Sequence, residues 1–213
     1  MKKADGIIIH ETLEEIADPM HSCLVVWDVQ NGLVDRIFNK DEFLVNLASL
    51  LKGLRGKMPV VYTLITPPPM AFRSAWHIFS MMRRFHESEP GQLRPFPAPG
   101  TMESEIPEAV KPLEGDVLLD KPSASIFIGT NFENMMRARG ITTLLFTGIA
   151  TEYGVESSAR DASNRGFYPA VVEDCVSSMD RDAHERSLKN MEKLVIVGAC
   201  AEILRSAGAP GIG

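Results

Sequence analysis

Three polar or dipolar features follow predicted strands of this chain and could act together on a substrate. Asp28 comes directly after an apolar run at residues 23–27, and Lys121 follows a second run at residues 116–119. The turn at residues 148–154 leads from a further run into a predicted helix. Ligands of open α/β sheets bind outside the carboxyl ends of the strands. An acid, an ammonium group and a helix N-terminus are therefore expected to converge on one crevice.

Each feature also has a purely structural interpretation. An aspartate at a strand end is often a turn residue or a helix cap, and a lysine in that place is usually a solvated surface charge. The helix start has structural reasons of its own, because Thr151 predicts an N-cap, Glu152 suits the first turn and Gly166 predicts the stop. The occurrence of all three features at the same end of a sheet favours a site.

The elements that must position these residues alternate between short β-branched runs and helical segments, a pattern typical of a parallel α/β sheet. The predicted strands are residues 23–27, 60–65, 116–119, 142–147, 170–172 and 194–197. The predicted helices are residues 42–55, 131–139, 152–165 and 182–192. The sequence thus predicts a three-layer α/β/α fold around a central, mainly parallel six-stranded sheet of Rossmann-like topology.

Two regions depart from this alternation. Residues 1–21 are predicted to form an N-terminal arm, and residues 22–213 to form one domain. Within that domain residues 66–100 are too long for a plain connection and hold two proline-rich runs. Their stripe of methionine and aromatic side chains is more typical of packing than of a cofactor site. We expect this insertion to serve as a lid or an oligomer contact, and the protein to form a dimer or a tetramer.

The composition is ordinary for a soluble globular protein. Among 213 residues, 45% are hydrophobic and 23% are charged, and the formal net charge of −6 argues against nucleic acid as a partner. The pair Arg83 and Arg84 is interpreted as solvated surface. No apolar run approaches the roughly 18 residues of a membrane span. The odd number of cysteines, at Cys23, Cys175 and Cys200, predicts a reduced compartment, and we expect a cytoplasmic protein.

Four motifs of this sequence resemble those of the isochorismatase-like (cysteine hydrolase) superfamily. They are the strand-end aspartate at residues 26–30, the Lys, Ser and Phe spacing at residues 120–127, the turn and helix start at residues 148–162, and the strand at residues 171–174. The similarity runs in the same order over most of the chain. It implies the isochorismatase-like version of the α/β fold and a hydrolase.

The resemblance also implies a role for each site residue. In thiol-bearing members the aspartate, here Asp28, deprotonates a cysteine, and the lysine, here Lys121, aids the charge balance. The turn contributes to an oxyanion hole through a cis peptide, which implies binding roles for the backbone of Ala150 and Thr151. The metal-dependent nicotinamidases of the family carry a histidine cluster that this chain lacks, so neither a metal nor another cofactor is expected.

Gly154 stands where most members carry the nucleophilic cysteine. A glycine has no side chain that can attack a carbonyl, and Cys23 and Cys175 are interpreted as packed thiols. The amide of Gly154, expected to be unpaired in the first helical turn, could still hold an anion. Gln30 and Arg73 complete the candidate substrate-binding residues, with Arg73 suited to a carboxylate.

True isochorismatases also lack the cysteine and use the aspartate as a general acid on a vinyl ether. This chain departs from them after the second strand, where Ile65 begins a sequence without their Gln-Pro-Gly motif, and at Ala150, where they carry a tyrosine. The first hypothesis is therefore a hydrolase of a small carboxylated or carbonyl substrate in which Asp28 and Lys121 act without a covalent nucleophile. The alternative is a C–N cysteine hydrolase whose nucleophile has been replaced by Gly154, or a non-catalytic relative that binds small molecules.

Overall fold

A parallel β-sheet forms the centre of the protein in the computed structural model, which describes residues 2–93 and 97–209. Over these residues the sheet has six strands in the order β5-β4-β3-β6-β7-β8, and each neighbouring pair is parallel. The strands are β3 (Ser22–Trp27), β4 (Val60–Ile65), β5 (Val117–Lys121), β6 (Thr143–Ile149), β7 (Tyr168–Ser177) and β8 (Ile196–Gly198). The predicted sheet is confirmed.

Helices cover both faces of this sheet and give the predicted three layers. They are α1 (Leu13–Ile16), α2 (Asn31–Val34), α3 (Lys40–Leu54), α4 (Ala75–Phe85), α5 (Phe132–Ala138), α6 (Glu156–Asn164), α7 (Arg181–Met191) and α8 (Cys200–Ser206). One core cluster joins α3 and α8 to one face, and a second joins α5, α6 and α7 to the other. The apolar stripe of α3 enters the first cluster completely, since Phe43, Leu47, Leu50 and Leu54 are all buried.

The strand order places the candidate site at the point where the chain changes direction across the sheet. From β3 the chain adds β4 and then β5 on one side, and it returns to add β6 on the other side of β3. The carboxyl ends of β3 and β6 therefore border a topological switch point, which is where open α/β sheets bind ligands. Asp28 follows β3 and the turn that contains Gly154 follows β6.

The N-terminal arm and the insertion contain structure of their own. The arm begins with an antiparallel hairpin, β1 (Lys2–Ala4) and β2 (Ile7–Ile9). The insertion contains α4, and its residues 94–96 lie outside the described part of the chain. Large apolar side chains are exposed in both regions, among them Ile7, Phe72 and Trp76. The expected dimer or tetramer, and the division into arm and domain, stay predictions.

No helix in the described ranges is long and apolar enough to cross a bilayer. Residues 2–93 and 97–209 also contain no cluster of three or more His, Cys, Asp or Glu side chains placed to hold a metal ion.

Candidate active site

A buried ion pair lies at the switch point. Lys121 Nζ is 2.7 Å from Oδ2 of Asp28, and each side chain is only 5% exposed. Thr63 of β4, the strand between them, donates its hydroxyl to Oδ1 of Asp28 at 2.6 Å and accepts the Asp28 amide at 3.0 Å. Lys121 is the last residue of β5, so its side chain spans β4 to reach the acid. The structure thus brings together the two residues that the sequence placed at strand ends.

The environment of Asp28 shifts the pKa of its carboxyl group toward neutral pH. Burial raises the pKa of this carboxyl to about 6, and the nearby Lys121 ammonium and the hydrogen bonds from Lys121 and Thr63 oppose that rise. Burial also lowers the pKa of Lys121, while Asp28 opposes the change. A carboxyl with a pKa near 6 can exchange protons at neutral pH, which is what general acid–base catalysis requires.

Trp27 lies between the ion pair and the helix start. Its side chain is 1% exposed, and the Lys121 Nζ lies 4.1 Å from its ring centroid. The ammonium also donates to the carbonyl of Ser123 at 3.1 Å. The three N–H donors of the lysine therefore face a carboxylate, a carbonyl and an aromatic ring, which fixes the ammonium beside Asp28.

Gly154 has no room for a side chain in this structure. A Cβ built on Gly154 would lie 2.0 Å from Nε1 of Trp27 and 2.3 Å from Cε2 of the same ring. Both distances are far below van der Waals contact, and the buried indole has little space into which to move. The indole therefore fills the volume that a nucleophilic side chain at position 154 would need.

The turn after β6 has the predicted cis peptide, at Ile149–Ala150. It leads into a five-residue π-type turn (Thr151–Val155) ahead of α6. The amides of Tyr153, Gly154 and Val155 all point at the carbonyl oxygen of Ala150, at 3.3, 3.1 and 3.3 Å. The expectation that the Gly154 amide is unpaired is therefore wrong, because the π-type turn gives it an acceptor.

Thr151 has a different place from the one predicted. The N-cap position belongs to Ala150, whose methyl side chain caps nothing, so the interpretation of Thr151 as the N-cap is wrong. The Thr151 hydroxyl is fully buried and donates to the carbonyl of Ser177 at 3.1 Å. It also lies 2.8 Å from Nδ1 of His184. Thr151 ties the turn to β7 and α7, while Ala150 lines the cavity.

The two remaining candidates contact backbone and do not line the cavity. The buried Gln30 donates to the carbonyl of Ser104 at 3.0 Å and accepts the Ile65 amide at 3.1 Å, so it ties the end of β4 to a surface loop. Arg73 donates from Nε to the carbonyl of Pro68 at 2.9 Å within the insertion. Their expected substrate contacts stay predictions without a geometric basis in this structure.

A cavity of about 480 Å³ opens above the ion pair. Helix α4 of the insertion forms one wall of the cavity, and its lining residues include Trp76, His77, Met81, Arg84 and Phe85. The remaining lining includes Trp27, Asp28, Lys121, Ala150 and Tyr153. This volume suits a small molecule. The insertion therefore forms part of the cavity wall, and its expected roles as a lid or an oligomer contact stay predictions.

Arg84 supplies a cation to this cavity. Its guanidinium carbon lies 4.4 Å from the Tyr153 ring centroid, and its Nη2 lies 3.4 Å from Oε1 of Glu152. The interpretation of Arg83 and Arg84 as a solvated pair is wrong for Arg84, which turns inward on α4, while Arg83 is exposed. An arginine in a cavity that also contains an acid–lysine pair can bind a carboxylate group.

The cysteines stand apart from this chemistry. Cys23, Cys175 and Cys200 are free and buried, and none of them lines the cavity. Burial raises the pKa of Cys23 to about 12. A hydrogen bond with Cys200 and burial raise the pKa of Cys175, which lies inside β7 and not after the strand end. Neither Cys23 nor Cys175 is a thiolate at neutral pH, so neither replaces the missing nucleophile.

Three further residues of the site escaped the sequence interpretation: Thr63, Trp27 and Arg84. Thr63 gives a weak signal, as a polar residue in an otherwise apolar strand. Trp27 gives a clearer signal, because this large aromatic residue directly precedes Asp28 in a chain that has the smallest residue, glycine, at position 154. Arg84 gives none beyond its place in the insertion.

Comparison with known proteins agrees with this fold. The family model described as the isochorismatase domain matches residues 22–206. A ureidoacrylate amidohydrolase, RutB, from Methylobacterium radiotolerans is 30% identical over 209 residues, which cover 88% of this chain and 80% of that protein. A maleamate amidohydrolase from Pseudomonas putida is 36% identical over 85 residues, 40% of each chain.

A solved structure supports the same assignment. An isochorismatase family protein from Burkholderia thailandensis aligns with a TM-score of 0.72 and 27% identity, and the alignment covers 89% of this chain and 97% of that one. The region that the family model matches, residues 22–206, includes every strand of the central sheet described above. This chain therefore belongs to the isochorismatase family of hydrolases.

Proposed function

We propose that this protein hydrolyses a small carboxylated substrate at a carbonyl group without forming a covalent intermediate. Asp28 acts as the general base, and Lys121 keeps it ionised and balances its charge. The observation that carries the proposal is the buried Asp28–Lys121 pair beside a position 154 whose side-chain volume is filled by an indole. The proton-transfer groups are thus in place where no nucleophile fits.

The hydrogen bonds of Asp28 favour the base over the acid. Thr63 donates to Oδ1 and Lys121 donates to Oδ2, so each carboxylate oxygen already accepts one hydrogen bond in its ionised form. One lone pair on each oxygen remains for a water molecule. That water gives a proton to Asp28 while its oxygen bonds to the substrate carbonyl carbon. The same proton then passes to the leaving atom as the bond from that atom to the carbonyl carbon breaks.

The substrate class follows from the cavity and from the relatives. The relatives named above are amidohydrolases of ureidoacrylate and of maleamate, both of which are small carboxylates. Arg84 can bind such a carboxylate on the α4 side of the cavity while the carbonyl group faces Asp28. We therefore favour an amide or ureide of a small carboxylic acid.

The pH dependence tests the role of Asp28. Burial raises its pKa to about 6, so the carboxyl is mostly protonated below that pH and mostly ionised above it. A general base must be ionised, and kcat/KM should therefore rise as the pH increases through about 6 and then level off. Initial rates on a panel of carboxylated amides between pH 4.5 and 8.5 measure this. A rate that is highest below pH 6 and falls as the pH rises would identify Asp28 as a general acid instead.

Substitution of Arg84 tests the substrate class. Arg84→Gln should raise KM for a carboxylated substrate by about 10- to 100-fold with a smaller change in kcat, because hydrogen bonds to a charged group contribute about 1.5–3 kcal/mol. Arg83→Gln is the matched control, since Arg83 is exposed and does not line the cavity. The carboxamide analogue of the substrate should bind both variants equally. An unchanged KM in Arg84→Gln would place the carboxylate elsewhere.

A non-catalytic binding protein is the second candidate, and the filled position 154 favours it. A screen of small carboxylated amides for both binding and product formation separates the two: tight binding of small acids with no product would support the binding protein. Restoring a thiol by Gly154→Cys alone is a poor test of an ancestral C–N hydrolase, since the new side chain would meet the Trp27 indole. Gly154→Cys combined with Trp27→Leu is the variant that gives the thiol room.

A further inference from the structure

The indole of Trp27 lies directly against Gly154. The edge of the indole that faces Gly154 consists of Nε1, Cε2 and Cζ2, at 2.0, 2.3 and 2.6 Å from a Cβ built on that glycine. The indole belongs to the buried cluster between the sheet and α5, α6 and α7. Because interiors are close-packed, the ring cannot move away without displacing its neighbours.

The backbone conformation at position 154 does not itself require a glycine. Its φ does not lie in the left-handed region, in contrast to that of Gly148 at +108°. An alanine at position 154 is therefore compatible with the backbone, and in a helical turn it is intrinsically more favourable than glycine. The three atoms nearest to a Cβ at this position all belong to the tryptophan ring, so Trp27 excludes a side chain there.

The face of the same indole is engaged with Lys121. The ammonium lies 4.1 Å from the ring centroid, and its other neighbours are Asp28 and the Ser123 carbonyl. A tryptophan face is the most favourable aromatic partner for a cation, and the interaction is strongest when the cation is removed from water. The ring thus supplies a third partner to a buried charge that would otherwise have two.

We propose that Trp27 is a positioning residue that replaces the side chain of position 154 and holds the Lys121 ammonium against Asp28. One residue then has two roles in this site: Trp27 makes a glycine obligatory at position 154, and it stabilises the charge that keeps Asp28 ionised. The steric half stands on geometry alone. The half that concerns Lys121 in turnover rests on the proposed function.

A thermal-unfolding cycle tests the steric half. Gly154→Ala in the wild-type protein should lower Tm by roughly 3 to 10 °C, as expected for overpacking of a core in a chain of this size. In a Trp27→Leu background the same Gly154→Ala substitution should leave Tm unchanged or raise it. Gly91→Ala is the control, because a Cβ at Gly91 meets nothing within 4 Å. An equal effect of Gly154→Ala in both backgrounds would overturn the proposal, whether or not the protein turns over a substrate.

The pH profile tests the second half. Trp27→Leu removes the π face that holds the ammonium against Asp28, so the pKa of Asp28 should rise and the increase of kcat/KM with pH should move to higher pH. Trp27→Phe retains a π face and should keep this increase near its wild-type position. A purely structural role of Trp27 would change the rate but leave the increase at the same pH, and that result would overturn this half. Absence of activity in the wild-type protein would instead refute the proposed function and leave the unfolding cycle as the test of Trp27.

Discussion

Asp28→Asn is expected to lower kcat/KM by about 10²- to 10⁴-fold, the usual contribution of a general base. The substitution keeps the shape of the side chain, and an amide oxygen can still accept the Thr63 hydroxyl in place of Oδ1. An asparagine cannot take a proton from water, however, and it leaves the Lys121 ammonium without its carboxylate. The loss should therefore appear in kcat with little change in substrate binding.

Asp120→Asn is the matched control for this substitution. Asp120 is the neighbour of Lys121 in β5, but its carboxylate is exposed and accepts the Thr66 hydroxyl at 2.7 Å outside the cavity. Its replacement should leave kcat/KM within about twofold, because surface substitutions away from special features have small effects. Circular dichroism of both variants shows whether the fold persists. Equal activity of Asp28→Asn and the wild-type protein would remove Asp28 from the mechanism.

Lys121→Met should move the pH dependence in a defined direction. The ammonium lowers the pKa of Asp28 against the larger effect of burial, so its removal should raise that pKa above about 6. An opposite charge at this distance lowers a carboxyl pKa by about 1–3 units, so the base would be largely protonated at neutral pH and kcat/KM would fall by up to about 100-fold. The activity should recover as the pH rises. A uniform loss at all pH values would contradict this role of Lys121.

The stability of the same variants provides a second measurement. Removal of one partner from a buried ion pair costs about 3–5 kcal/mol, whereas removal of both can be neutral. Lys121→Met should therefore lower Tm more than the double variant with Asp28→Asn does. Additive losses would mean that the pair contributes to the fold independently of its charges.

The positions of Asp28 and Lys121 could be predicted because they depend on strand order and not on side-chain packing. Each follows an apolar run, and the carboxyl ends of parallel strands meet at one edge of a sheet. The stop of α6 was predictable for a local reason, since Gly166 adopts positive φ directly after the C-cap residue Arg165. These features depend on short segments of the sequence.

The details of the turn after β6 could not be read in this way. A threonine before a helix predicts an N-cap, but here the chain forms a π-type turn in which Thr151 bonds to Ser177 of a neighbouring strand. The same turn pairs the Gly154 amide with the Ala150 carbonyl. Both outcomes depend on tertiary contacts. The inward position of Arg84 likewise depends on how the insertion packs over the sheet.

Hydrolysis by Asp28 without a thiol can be tested in one side-by-side comparison. The kcat/KM of the wild-type protein is measured on a carboxylated amide before and after treatment with iodoacetamide, and the Asp28→Asn variant is measured in parallel. Peptide mass mapping distinguishes alkylation of Cys175 from that of Cys23 and Cys200. Full activity is expected after treatment, together with a loss of about 10²-fold or more in Asp28→Asn. Loss of activity on alkylation of Cys175, together with retained activity in Asp28→Asn, would contradict this mechanism.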